Sequence, residues 1–272
     1  MMLKSFLKDW KKVDYIIFFL IIPLILTSIF LLPTSIKQNL ILNPLNPTLI
    51  SIFFSNYTHT EAQHFLSNLL IYLITIFLLF NIETNRKLFL KVALLNFILL
   101  PFLVSWFIVY FLPKLPPTQG FSAILSSFVG YILFSSYSWL RKNCYGKLNY
   151  SFLFLLLMVN FLIWSIFEKG QLFYILFLIT LLFLFLNRYS IKTILEWIIS
   201  ETKRNLEENL LSFAYKIFIL SLVIFFTFSL WTLLPSNIKI GKNIINIAAH
   251  YLGYCFGAFV PLLLERWKND TQ

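Results

Sequence analysis

The residues best suited to chemistry in this chain are one hydroxyl, two imidazoles and a carboxamide: Ser122, His64, His250 and Asn68. Ser122 follows a loop stiffened by Pro113, Pro116 and Pro117, and it opens an apolar run that lasts to Trp139. At the first turn of a helix the backbone N–H groups lack intrahelical partners and can receive a developing negative charge. A serine hydroxyl is a weak nucleophile at neutral pH and needs a neighbouring base to take its proton. Of the 3 histidines, His64 and His250 lie in apolar runs, so each is a candidate for that base. No carboxylate falls inside an apolar run at a matching depth, which favours a Ser–His pair over a triad with an acid. There is no H-E-x-x-H, and no carboxylate is placed to complete a metal site with the histidines, so no metal and no cofactor are expected.

These groups need a scaffold, and the composition indicates which solvent it lives in. Of the 272 residues 59% are hydrophobic and 12% charged. Soluble domains carry roughly a quarter charged residues, so lipid is the expected surroundings. The net charge of +11 resides in short basic segments between apolar runs, the pattern that sets membrane orientation, and nucleic-acid binding is not expected. Cys144 falls in a basic loop and Cys255 inside a helix, which argues against a disulfide. The run from Tyr15 to Leu32 is long for a signal peptide and lacks a small-x-small cleavage site, so it reads as a retained span.

Runs of roughly 17 to 25 apolar residues mark membrane spans. Eight are expected, at about 15–33, 63–81, 88–112, 120–140, 150–167, 171–187, 212–234 and 244–264. The fifth and sixth are divided only by Glu168-Lys169-Gly170, which reads as a hairpin. The fold class is therefore all-α, a polytopic membrane helix bundle, with residues 1–272 forming a single membrane domain. The polar stretch 188–211 interrupts it. Ile191, Ile194, Leu195, Ile198 and Ile199 recur there at helical spacing, as in an amphipathic helix on the cytoplasmic membrane face. With the N-terminus inside, the outer loops hold only Lys37, Lys114, Lys169, Lys239 and Lys242 of the 22 basic residues. That asymmetry places both termini in the cytoplasm.

This topology gives the fourth and eighth spans the same direction, inward from the outer face. Ser122 lies at the outer end of one, and His250 lies roughly 9 Å into the other. The second span also runs inward, with His64 and Asn68 one turn apart near its outer end. Polar groups in spans are costly and face a protein interior or water. Taken singly each has a plainer role: Asn68 as interhelical glue, and Ser126, Ser127, Ser135 and Ser136 as packing residues. Three helices carrying chemistry-bearing groups to one depth argue for one site.

Three segments resemble the rhomboid family of intramembrane serine proteases. Tyr57-Thr58-His59 followed by His64-Phe65-Leu66-Ser67-Asn68 resembles the second-helix H-x-x-x-N signature. Gly120-Phe121-Ser122-Ala123, with Gly130 beyond it, is similar to the G-x-S-G nucleophile motif. Ala249-His250-Tyr251-Leu252-Gly253 with Gly257 resembles the last helix's A-H-x-x-G-x-x-x-G. The resemblance covers about residues 15–140 and 212–264. It implies a rhomboid-like core of six helices with two additional spans.

The resemblance also implies Ser122 as nucleophile and His250 as general base and then acid, with His64, Asn68 and the Ser122 N–H as oxyanion hole. Gly120, Gly130, Gly253 and Gly257 would allow the backbones to approach, and Asn246, one turn before His250, would orient the imidazole. The implied substrates are transmembrane segments of other proteins in a bilayer, with a prokaryotic cell membrane as the expected location. The chain departs from the family's pattern in four places. Ala123 stands where a glycine follows the nucleophile, and Ser126 stands where relatives often carry a tyrosine. The first outer loop lacks a Trp-Arg pair, and three spans instead of one separate serine from histidine, leaving the seventh as the expected substrate gate. A catalytically inactive rhomboid-like protein that binds client spans is the competing expectation.

Overall fold

The computed structural model describes residues 10–168, 172–208, 210–228, 239–240, 243–244 and 247–270. Eleven helices cover most of these residues: α1 (Lys12–Phe30), α2 (Thr34–Leu40), α3 (Leu49–Phe54), α4 (Ala62–Ile82), α5 (Arg86–Phe111), α6 (Ser122–Asn143), α7 (Tyr150–Glu168), α8 (Leu172–Leu186), α9 (Arg188–Glu208), α10 (Leu210–Phe228) and α11 (Ile247–Asp270). The only strands described are a two-residue antiparallel pair, Lys239–Ile240 with Asn243–Ile244. Helices dominate because an apolar chain in lipid must satisfy its backbone hydrogen bonds within each segment.

Five helices, α1, α4, α5, α6 and α11, are long and apolar enough to cross a membrane, as in a multi-pass membrane protein. The expected spans at 150–167 and 212–234 correspond to shorter apolar helices over Tyr150–Ile166 and Phe213–Phe226. The expected span at 171–187 is α8, which turns by 71° into α9 and with it makes at most a sixth, broken span. The Glu168-Lys169-Gly170 break lies largely outside the described residues.

Residue contacts cluster into two units without a linker in the sequence to announce them. In one, made of Leu78–Thr84 and Ile132–Ser236, α7 and α8 pack side by side with Phe154 stacked on Phe183. Ser151 Oγ donates to Asn187 Oδ1 at 2.9 Å, close to the bend where α8 ends. Buried Glu83 accepts from Ser135 at 2.7 Å, and Lys216 pairs with Glu201 on α9 at 2.7 Å. On α9 Ile194 is buried while Leu195 and Ile199 are exposed, so the expected amphipathic insert is a helix with one face against its own unit.

The other unit comprises Asp9–Phe77, Asn85–Tyr131 and Asn237–Gln272 and contains Ser122, His64, Asn68 and His250. Asp14 and Arg86 join the starts of α1 and α5 through a two-pronged ion pair at 2.6 and 2.7 Å. Two helices here contain backbone irregularities that free a carbonyl, and a tyrosine meets each one. A π-turn at Ile17–Ile21 interrupts α1, and the Tyr72 hydroxyl donates to Phe18 O at 3.1 Å. Pro101 inside α5 has no N–H to offer Phe97 O, and the Tyr57 hydroxyl donates there instead.

α6 is the most buried of the five, 78% of its apolar stretch being covered against 17% for α1. Its crossing with α11 is backbone on backbone. A Cβ added to Gly253 would fall far inside contact distance of Ala123 O, and one on Gly257 would do the same to Ser127 O. From the α6 side, a Cβ on Gly130 would strike Tyr254 O. Partners advance together along both helices, so α6 and α11 run parallel. Such intimacy requires small residues.

Gly257→Ala is expected to force the helices apart and destabilise the protein by about 1–3 kcal/mol, seen as a lower thermal midpoint in detergent. Gly146→Ala, where an added Cβ meets nothing within 4 Å, should leave the midpoint unchanged.

Candidate functional site

The segment entering α6 is anchored residue by residue. Thr118 exchanges backbone bonds with Leu42 at 2.9 and 3.1 Å. Gln119 donates to Thr60 Oγ1, Gly120 N–H donates to Ser55 O at 2.9 Å, and Phe121 N–H donates to His59 Nε2 at 3.3 Å. Gly120 has φ +125°, a conformation that L side chains rarely adopt. Its open side is covered by His64, whose Cε1 would lie 3.2 Å from an added Cβ. Ser122 emerges from this fastened turn as the first residue of α6, half-buried.

The expected oxyanion donors sit beside the same turn. His64 is exposed on the first turn of α4 and lies over Gly120, two residues before Ser122. Asn68, one turn further, is buried, and its Nδ2 lies 2.9 Å from His59 Nε2. One of its two amide hydrogens is thereby taken by His59 and the other remains. His59 is 2% exposed and meets His64 edge-to-face with ring centroids 5.1 Å apart. In the sequence His59 stands out only as the end of the Tyr57-Thr58-His59 segment. Its role depends on a partner 62 residues away and has no local spacing signal.

On α11 the parallel crossing sets where His250 falls. Gly253 meets Ala123, so Ala249, one turn earlier and next to His250 in the chain, faces the turn that precedes Ala123. A cavity of about 20 Å³, enough for a water molecule, confirms part of that juxtaposition. Its lining includes Ser122, Ala249, Gln119, Ser55, Asn56 and Ser105. Asn56 Nδ2 donates to Ser105 Oγ at 3.0 Å, and Ser105 donates to Ile52 O at 2.6 Å. Gln119 Oε1 is buried without a hydrogen-bond partner among the described residues.

His250 is half-buried. Asn246, the expected orienter of His250, lies outside the described residues. Among the described residues no His, Cys, Asp and Glu group could hold a metal ion.

The departure at Ser126 has a steric reading. Ser126 donates to Ser122 O at 2.8 Å, and its Cβ lies 3.2 Å from where a Cβ on Gly253 would be. A large ring at Ser126 would have to be accommodated against the α11 backbone. Ser127 donates to Asn96 at 2.7 Å and ties α6 to α5.

No protein-family model, curated protein or solved structure matches this chain.

Burial and the neighbouring His64 lower the His59 pKa to about 4, with the Tyr57 backbone offsetting part of the shift. Between that value and the unfolded value near 6.5 the unfolded chain binds more protons, so stability rises with pH through this window. Acidification from about pH 6.5 to 4 is therefore expected to remove up to roughly 3 kcal/mol through this one group. A thermal midpoint measured against pH should fall across that range, and His59→Gln should flatten the dependence.

Proposed function

We propose that this protein is an intramembrane serine endopeptidase of rhomboid type that cleaves transmembrane segments of other proteins. The supporting observation is the parallel backbone contact of Gly253 with Ala123 and Gly257 with Ser127, which directs the His250 turn toward Ser122. In this reading the core is rhomboid-like, the shorter apolar helices complete eight spans, and both termini face the cytoplasm of a prokaryotic cell. The segment 188–211 lies on the inner membrane face.

The chemistry follows from the groups present. Ser122 Oγ attacks the scissile carbonyl carbon as His250 takes its proton. The tetrahedral oxyanion is received by the Ser122 N–H, the remaining Asn68 N–H and His64. Collapse breaks the C–N bond, and the imidazolium returns its proton to the leaving amine, giving an acyl-enzyme. Water deprotonated by His250 then releases the acid and regenerates Ser122. One preorganised donor of this kind is worth roughly 3 kcal/mol of transition-state stabilisation. Substrate must unwind locally, since helical hydrogen bonds shield its carbonyls, so spans with Gly, Ala or Pro near their outer ends are the fitting class.

A second reading is favoured by Ala123 and Ser126 at the two motif positions beside Ser122: a rhomboid-like protein that binds client spans without cleaving them. A fluorophosphonate probe separates the two. The protease reading predicts labelling of wild type and none of Ser122→Ala. In proteoliposomes with a generic transmembrane substrate, Ser122→Ala and His250→Ala should each lower turnover by at least about 1000-fold. Unchanged cleavage in both variants would remove the assignment, and an unlabelled wild type would favour client binding.

A further inference from the structure

We propose that His59 is a positioning residue for the Ser122 site, holding Asn68 and the nucleophile's turn in register by accepting hydrogen bonds from both at one nitrogen. This rests on the serine-protease reading above. His59 Nε2 lies 2.9 Å from Asn68 Nδ2 and 3.3 Å from the Phe121 N. Asn68 belongs to α4, Phe121 immediately precedes Ser122, and His59 sits in the loop before α4. A single atom thus joins three stretches of chain.

Acceptance at Nε2 requires a neutral imidazole with its proton on Nδ1, because a protonated ring offers only donors. The acceptor also decides the orientation of the Asn68 carboxamide. With Nδ2 held at His59, the second N–H stays on the same nitrogen, available to an oxyanion. Without that acceptor the amide could rotate and present Oδ1, which would repel the developing charge. The Phe121 bond fixes the residue before Ser122, and Ser122 opens α6, where first-turn N–H groups have no intrahelical acceptor. The groups around the ring suit a neutral state: His64 lies edge-on at 5.1 Å and Phe65 at 5.6 Å.

The test uses the full-length protein in proteoliposomes, with His59→Phe, His59→Gln, Asn68→Ala and the His59→Phe/Asn68→Ala double variant. His59→Phe keeps a ring and removes the acceptor, so kcat should fall about 100-fold with KM little changed. His59→Gln, which retains an acceptor, should recover part of that loss. Because part of the His59 effect runs through Asn68 and part through Phe121, the double variant should be slower than Asn68→Ala by a smaller factor than His59→Phe costs on its own. Independent multiplicative losses, or a loss confined to KM, would overturn the proposal. Imidazole ¹⁵N spectra of the wild type supply a readout without turnover. They should show His59 with Nδ1 protonated and Nε2 accepting, and the opposite tautomer would overturn the geometry. Where His59→Phe fails to fold, the glutamine variant and the spectra decide. A wild type that neither cleaves nor labels would remove the protease reading while the spectra still report on His59.

Discussion

The contact on which the rest of the candidate site depends is the one between two backbones, where α6 and α11 cross at Gly253 and Gly257. In a bilayer, helices gain little from hiding apolar side chains from one another, because lipid is as apolar as leucine. Close van der Waals packing then provides the association, and small residues permit it. The consequence for chemistry is directional. Because the glycines advance in step with Ala123 and Ser127 along parallel helices, the turn before Gly253 is delivered to the turn before Ala123.

The second constraint is that irregular backbone within an apolar core must still find partners. The Phe18 and Phe97 carbonyls, freed by a π-turn and by Pro101, are met by Tyr72 and Tyr57. The latter bond also fastens the segment that carries His59. Residues 118 to 121 are then held by Leu42, Thr60, Ser55 and His59 in turn. The Ser122 side chain is thus presented from a fixed turn, the kind of positioning that catalysis exploits.

Much of this was legible in the chain. The long apolar runs foretold α1, α4, α5, α6 and α11, since length and hydropathy report the lipid solvent directly. The distribution of basic residues implied that the fourth and eighth expected spans share a direction, and the helices containing Ser122 and His250 are parallel. The glycine spacing pointed to a close approach on α11. What escaped were features decided by tertiary partners. The end of α8 at Asn187 and its bend into α9 do not follow from apolarity, which continues through Ile191, Ile194 and Leu195. His59 carries no periodic signal, and its importance comes from Phe121, distant in sequence. Ser126, a departure when read as a motif position, sits where the α11 backbone at Gly253 closes in. Pro101 was a usable clue: it orphans a carbonyl four residues earlier, and Tyr57 is the group that answers it.

The central claim concerns proximity and is best measured without relying on turnover. Cysteines placed at positions 122 and 250, in a chain where Cys144 and Cys255 are changed to serine, should be joined within one molecule by the shortest bifunctional thiol reagents. Both positions should also react singly with a monofunctional reagent, showing that each is reachable. Efficient intramolecular cross-linking is the result this account predicts. Two thiols that each react alone yet never link to one another would contradict it.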